Sequence, residues 1–238
     1  MVQTQLVYWK HLGLSPFYEV WQWQEALLVE GCDIKKRENN TAADARTTVH
    51  KLLLTEHPPV YTLGKSGSMD NLLISQQDMR EEGIAFYKIN RGGDITHHGP
   101  GQLVAYPILD LEKFYTDIGK YLRNLEEVVI RTLAYYGIRG ERSAGETGVW
   151  LDAGQPGRER KICAMGVRCS RWITMHGLAL NVNNDLRYFD HIIPCGIRDK
   201  QVTSIARELG IEVDMEELTM IFLQEFGVVF NVRFAVMD

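Results

Sequence analysis

Long apolar runs are missing from this chain. No stretch is long enough to span a bilayer, and the opening "MVQTQLVYWKHLGLSPF" lacks the charged start and unbroken apolar core of a secretion signal. The expectation is a cytoplasmic protein that makes no use of a membrane. Basic charge is short as well: 26 lysines and arginines stand against 31 aspartates and glutamates, a formal net charge of -5, which argues against a dedicated nucleic-acid binder. Cysteine is sparse. Cys32, Cys163, Cys169 and Cys195 form no C-x-x-C pair, which removes zinc-ribbon and thioredoxin-type readings. In a reducing compartment such thiols stay free, so Cys163 is read as core packing and Cys32 and Cys169 as structural or incidental. Neither G-x-G-x-x-G nor G-x-x-x-x-G-K-[ST] occurs, so nucleotide binding has no motif behind it.

Internal repeats, low-complexity tracts and long Pro/Gly/Ser linkers are also absent. A chain of 238 residues can build one sizeable core, and a single domain over 1–238 is the starting expectation.

What is present alternates between strand and helix signals. After the strand-like "QLVYW", Ser15-Pro16 reads as a cap and first turn for a helix through "FYEVWQWQEALLVE", in which Trp21 and Trp23 serve packing. "KKRENNTAADA" (Lys35 to Ala45) and "DAGQPGRER" (Asp152 to Arg160) read as exposed loops. "TTVHKLLLTEH" suggests a strand leading to "PPVYTLG", "SQQDMREEG" a short helix closed by Gly83, and "IAFYKIN" a further strand. "QLVAYPIL" is strand-like. Ile118, Tyr121, Leu122, Leu125, Val128, Val129 and Leu133 follow the spacing of an amphipathic helix that Gly137 ends. "TGVWLD" and "KICAMGVRC" flank a turn as a hairpin would, and "WITMHGLALNVN" makes another strand. Asp214 and Glu217 have capping-box spacing before "LTMIFLQEF", and "VVFNVRF" reads as a last strand. Helices among strand pairs indicate an α/β or α+β sheet with helices on its faces.

One segment concentrates chemistry. "RGGDITHHGPGQLVAYPILDL", Arg91 to Leu111, crowds Arg91, Asp94, Thr96, His97 and His98 between apolar strands. Gly92 and Gly93 let the backbone turn sharply or let a ligand approach the main chain; taken alone they are better explained by an ordinary turn. His97 and His98 point to opposite sides of an extended backbone, so a shared metal is not expected. Lys161 in "RERKICAMG", taken alone, reads as a solvated lysine at a hairpin base, by far the commoner fate of a lysine. Cys195, between Pro194 and Gly196, is either a buried thiol or a nucleophile displayed on a sharp turn, and a catalytic thiol needs a basic or cationic neighbour.

The segment resembles the signature of the lipoyl(octanoyl) transferases, which carry Arg-Gly-Gly, Thr, His and Gly-Pro-Gly-Gln in this order. That family usually has an aromatic residue where this chain has His97. "KICAMGV" from Lys161, "HGLALNVN" from His176 and "PCGI" around Cys195 match in order, and the resemblance extends from "HPPVYTLG" to "TSIAREL". It implies a mixed β-sheet flanked by helices, of the lipoate/biotin protein ligase catalytic-domain type. It implies that Cys195 carries an octanoyl group as a thioester and that Lys161 activates the thiol, with no cofactor and no metal. It further implies that Arg91, Gly92, Gly93, Asp94, Ile95, Thr96, His97, His98, Ala164, Met165, Gly166, Gly177, Leu178 and Ala179 line the acyl site, with glycine N–H groups as candidate oxyanion donors.

The implied donor is octanoyl-acyl carrier protein, and the implied acceptors are lipoyl domains of 2-oxoacid dehydrogenase E2 subunits and the glycine cleavage H protein. An acidic carrier would dock on cations, for which Arg158, Arg160, Arg168, Arg171, Arg198 and Lys200 are candidates. A monomer is the starting expectation, with oligomeric state left open. An ATP-dependent lipoate or biotin ligase, a noncatalytic binder of acyl carriers or lipoyl domains, and a thioesterase are the competing readings.

Overall fold

A computed structural model describes residues 4–38, 47–193 and 201–237. Its centre is a mixed eight-stranded sheet in the order β10-β8-β9-β6-β2-β1-β11, with β7 alongside β8. These strands are β1 (Gln5–Leu14), β2 (His50–Glu56), β6 (Gln102–Ile108), β7 (Val149–Leu151), β8 (Arg160–Ser170), β9 (Ile173–Asn181), β10 (Gln201–Val202) and β11 (Val232–Val236). β1 runs parallel to β2 and β11, and β10 parallel to β8, while the β2-β6-β9-β8-β7 pairings are antiparallel. A small sheet, β4-β3-β5, joins β3 (Val60–Leu63) to β4 (Ala85–Lys88) and β5 (Ile95–His98).

The sheet's burial explains its sequence. All seven residues of β6 and all nine of β9 are buried, because helices cover both faces, so these strands read as apolar runs rather than alternations. On one face, Val20, Leu27 and Leu28 of α1 (Phe17–Glu38) pack on Leu53, Val104, Tyr106 and Ala179. On the other, α3 (Ile118–Tyr135) and α5 (Met215–Phe230) cover Leu52, Leu103, Leu178 and Leu180. This is the mixed sheet flanked by helices that the sequence implied.

Several boundaries differ from the expectation. Ser15 does not cap α1: its hydroxyl donates to the Leu12 carbonyl at 2.7 Å. The helix continues through Lys35, which is no loop residue, because its ammonium is buried against Asp110 at 2.8 Å and Glu112 at 2.9 Å. "VVF" of the expected last strand belongs to α5, since Phe222, Phe226 and Phe230 extend one buried helical stripe, the last two stacked at 4.4 Å. Asn231 then turns the chain with φ of 52°, and β11 begins after it. α2 (Gln76–Glu81), α3, the β7-β8 hairpin and the Asp214 cap of α5 stand as read. The short α4 (Ile205–Leu209) and β10 had no signal.

Candidate active site

The glycine loop is held by close backbone contacts. A Cβ on Gly64 would come within 2.2 Å of the Gly93 carbonyl oxygen, and one on Gly166 within 2.6 Å of the Gly92 oxygen, so only glycine lets the loop lie between the small sheet and β8. Gly93 itself has φ of +88°. Gly92 N–H donates to the Val167 carbonyl at 3.0 Å, and Gly64, Lys65 and Ser66 donate to Asp94, Arg91 and Gly93. Gly92 is thereby removed from the candidate oxyanion donors. Buried Arg91 donates to the carbonyl and hydroxyl of Thr62 at 2.7 and 3.0 Å. Asp94 accepts from Ile95 N–H at 2.7 Å and from Asn71 at 2.5 Å, so both charged residues brace the loop.

Beside it lies a cavity of about 470 Å³. Arg91, Gly92, Gly93, Asp94, Ile95, Thr96 and His98 line it from the loop and β5; Lys161, Ala164, Met165 and Gly166 from β8; Gly177, Leu178 and Ala179 from β9. Its volume falls within the range of small-molecule sites. His97 is the exception among the expected residues. Its side chain turns away, 1% exposed, into an apolar cluster where it stacks on Tyr188 at 4.6 Å and meets Tyr61 and Phe189. Here the ring fills the place of the aromatic residue usual in the resembled family. Cys195 lies outside the described residues; the chain reaches Ile193 and resumes at Gln201, and Phe189 and Val202 on either flank line the cavity.

Lys161 is set by three elements. Its ammonium lies 4.5 Å from the Trp150 ring centroid, a cation–π contact, and its carbonyl accepts from Thr203 N–H at 3.0 Å. Gly148, at φ +117°, passes under it: a Cβ there would sit 2.5 Å from the Cys163 carbonyl oxygen and 3.7 Å from Lys161 Cε. Buried Glu126 of α3 fixes this crossing by accepting from Gly148 N–H at 3.1 Å. Cys163 is fully buried in the core as expected, and burial pushes its thiol well up, which keeps it unreactive.

The wall facing α1 was not foreseen. It contains Phe17, Tyr106 and His176, with His57 behind Tyr106. Hydrogen bonds fix every proton in it. Gln102 Nε2 must face the His97 carbonyl at 3.1 Å, so its Oε1 accepts from His98 Nδ1 at 2.8 Å. Asn90 gives its NH₂ to the Glu25 carboxylate at 2.7 Å, so its Oδ1 accepts from His176 Nε2 at 2.8 Å. His57 Nδ1 donates to the Ser15 carbonyl at 2.7 Å, which leaves Nε2 to accept from the Tyr106 hydroxyl at 2.8 Å. Burial lowers His57 to about 4 and His176 to about 3, and holds His98 well below the ordinary histidine value. All three rings are neutral near pH 7.

The candidate docking cations divide. Arg160 is paired with Glu208 at 2.7 Å and with Asp152, and Arg168 with Glu25 at 2.9 Å. Arg158 and Arg171 are exposed, Arg158 at 3.5 Å from the same Asp152, while Arg198 and Lys200 lie outside the described residues.

Such a sheet, with a glycine loop and a lysine facing one cavity, defines a class. The lipoyl protein ligase A/B catalytic domain family matches residues 16–227, and the chain belongs to it. An octanoyltransferase of Christiangramia forsetii is 56% identical over 223 residues, covering 93% of this chain and 94% of that one. One from Flavobacterium johnsoniae is 60% identical over 208 residues, covering 87% and 89%. Among solved structures, a bi-partite lipoate protein ligase from Thermoplasma acidophilum superposes with a TM-score of 0.67 at 16% identity, covering 100% of this chain and 88% of that one. Lipoate-protein ligase A bound with ATP gives 0.65 at 14% identity, covering 99% and 90%. At these identities the likeness speaks for the fold.

Proposed function

We propose that this chain is an acyltransferase that moves an octanoyl group from octanoyl-acyl carrier protein to the ε-amine of a lysine on lipoyl domains, with residues 1–238 acting as one catalytic domain. The observation that carries this reading is a cavity of about 470 Å³ that brings Lys161, the glycine loop and the apolar side chains of Met165 and Leu178 together. Two groups react in turn. The Cys195 thiol gives its proton to Lys161 and attacks the donor thioester; the tetrahedral oxyanion collapses, the new C–S bond remains, and the pantetheine thiolate leaves with the proton from Lys161. The acceptor amine then attacks the Cys195 thioester and gives its proton to Lys161; a C–N bond forms as the C–S bond breaks, and Lys161 returns the proton to the departing Cys195 thiolate, which restores the thiol. Exchange between thioesters is nearly isoenergetic and thioester to amide runs downhill, so the relay needs no ATP.

Phe189 and Val202, the wall residues that flank the Cys195 segment, support its placement in this scheme. The acceptors we assign are lipoyl domains of dehydrogenase E2 subunits and the glycine cleavage H protein, and the place of action is the cytoplasm. Among the described residues no helix is long and apolar enough to cross a membrane. Intact-mass spectrometry of the protein incubated with octanoyl-acyl carrier protein tests the relay. One octanoyl adduct on the wild type, absent in Cys195→Ala and discharged by a lipoyl domain, is the expected result. An adduct that survives in Cys195→Ala would move the reaction to another group, and ATP-dependent AMP release would replace the transferase with a ligase.

A further inference from the structure

The β10 edge of the large sheet is held by an ion pair. Arg160 opens β8, one residue before Lys161, and its guanidinium grips Glu208 of α4 with two parallel bonds, Nε to Oε1 and Nη2 to Oε2, both at 2.7 Å. Glu208 Oε1 also accepts from the Thr203 hydroxyl at 2.5 Å, and the Thr203 N–H donates to the Lys161 carbonyl at 3.0 Å. Between them runs β10, with Gln201 beside Arg160 and Val202 beside Lys161. The contacts close a ring from Arg160 through Glu208, Thr203 and Lys161 back along the chain to Arg160.

Two features make this ring more than a surface contact. β10 is only two residues long, shorter than an ordinary strand, so the side-chain ring supplies the hold that its few ladder bonds lack. Thr203 is fully buried, and its carbonyl accepts from Asn181 Nδ2 at 3.0 Å, while Asn181 Oδ1 accepts from Gln102 Nε2 at 2.9 Å. The seam between β8 and β10 is thereby tied across β9 to β6, and Val202 lines the cavity beside Lys161. Arg160 is also spent on a second carboxylate, that of Asp152, and its side chain is 25% exposed. With two carboxylates around it, its charge gives an acidic carrier little to grip.

Resting on the acyltransferase reading above, we infer that Arg160 and Glu208 are a positioning pair for Lys161, and that Arg160 is no docking cation. The pair acts through the seam: it holds β10 against β8, so that Lys161 keeps its place on the cavity wall with Val202 beside it. This role requires arginine. Lysine carries the same charge but offers a single point of contact, so it cannot make the two parallel bonds to Glu208. A docking cation would ask only for charge.

Single-turnover formation of the octanoyl adduct, followed over a range of octanoyl-acyl carrier protein concentrations, separates the two roles. Arg160→Lys and Glu208→Gln should each lower the maximal rate about tenfold, the scale of a small misplacement of a reacting group, while the half-saturating carrier concentration stays near the wild-type value. In a Lys161→Ala background the same two substitutions should cost nothing further, because their effect runs through Lys161. A loss of equal size in both backgrounds would reduce the pair to a structural contact and overturn the inference. A wild-type maximal rate for Arg160→Lys would overturn it too, as would tighter carrier binding by Glu208→Gln, the mark of a docking surface freed of an acidic group. No adduct on the wild type at any carrier concentration would overturn the acyltransferase reading, and the role of the pair with it.

Discussion

The two ends of the cavity are built on opposite principles. At one end Lys161 Nζ lies over the face of Trp150, half-buried, on the strand next to β10. At the other, His98 and His176 are neutral rings whose protons are committed to Gln102 and Asn90. A basic side chain stands where the proposed relay moves a proton, and neutral rings with committed protons line the opposite wall. The same residue types would fail if exchanged: an ammonium in the histidine wall would need a counter-ion, and a proton-locked imidazole at Lys161 could not cycle a thiol proton.

Lys161→Ala is the strongest way to break this contrast. Loss of a group that accepts and returns a proton should slow octanoyl-adduct formation by about 10²–10⁴-fold. Circular dichroism and melting temperature should stay near the wild type, because the side chain is only half-buried. Lys161→Arg retains the charge but cannot release its proton, and should recover little of the rate. Recovery of most of the rate by arginine would make the charge alone sufficient.

How much of this was legible follows the same division. The Lys161 end and the glycine loop are local: "RGGDITHHGPGQ" and "KICAMG" are runs of consecutive residues, so their resemblance to a family signature is visible in the sequence, although taken alone they read as a turn and a solvated lysine. The histidine wall converges from α1, β6 and β9, so Phe17, Tyr106 and His176 sit far apart in sequence, and nothing in "SPFYEV" or "VAYPIL" announces a cavity. His176 was within a quoted block, yet its φ of 58° and its Asn90 partner are tertiary facts. For the fold, the α3 stripe was clear because its apolar positions repeat over an 18-residue helix. The α5-β11 boundary was not, because β-branched Val228 and Val229 favour a strand locally while the Phe226–Phe230 stack keeps them helical.

Gly64→Ala sharpens the comparison from the loop side, with a smaller effect. The methyl would enter at 2.2 Å from the Gly93 carbonyl oxygen, a backbone atom that cannot swing aside like a side-chain tip. A cost of about 2 kcal/mol is expected, or roughly 4–8 °C in melting temperature, with transfer slowed because Arg91 to Asp94 shift. Ser66 and Lys65, which bond the same loop through backbone N–H, should tolerate alanine with little change.

The smallest effect separates His97 from its neighbour. Both rings are buried, but His98 serves the cavity through a bonded nitrogen, whereas neither ring nitrogen of His97 has a hydrogen-bond partner among the described residues. Burial lowers His97 to about 3 from the ordinary 6.5. Above pH 6.5 both folded and unfolded chains hold this ring neutral. As pH falls below 6.5 the unfolded chain binds a proton that the folded one refuses, so stability is lost progressively down to about pH 3. His97→Phe keeps the stack on Tyr188, removes two unpaired nitrogens and deletes that proton. The variant should gain about 1 kcal/mol at pH 7, with octanoyl transfer unchanged, and its stability should fall less steeply between pH 6 and pH 4, by about one proton's worth of slope. Denaturant midpoints across that range measure it, and His98→Phe is the control: it should slow octanoyl transfer, because its ring faces the cavity that His97 avoids.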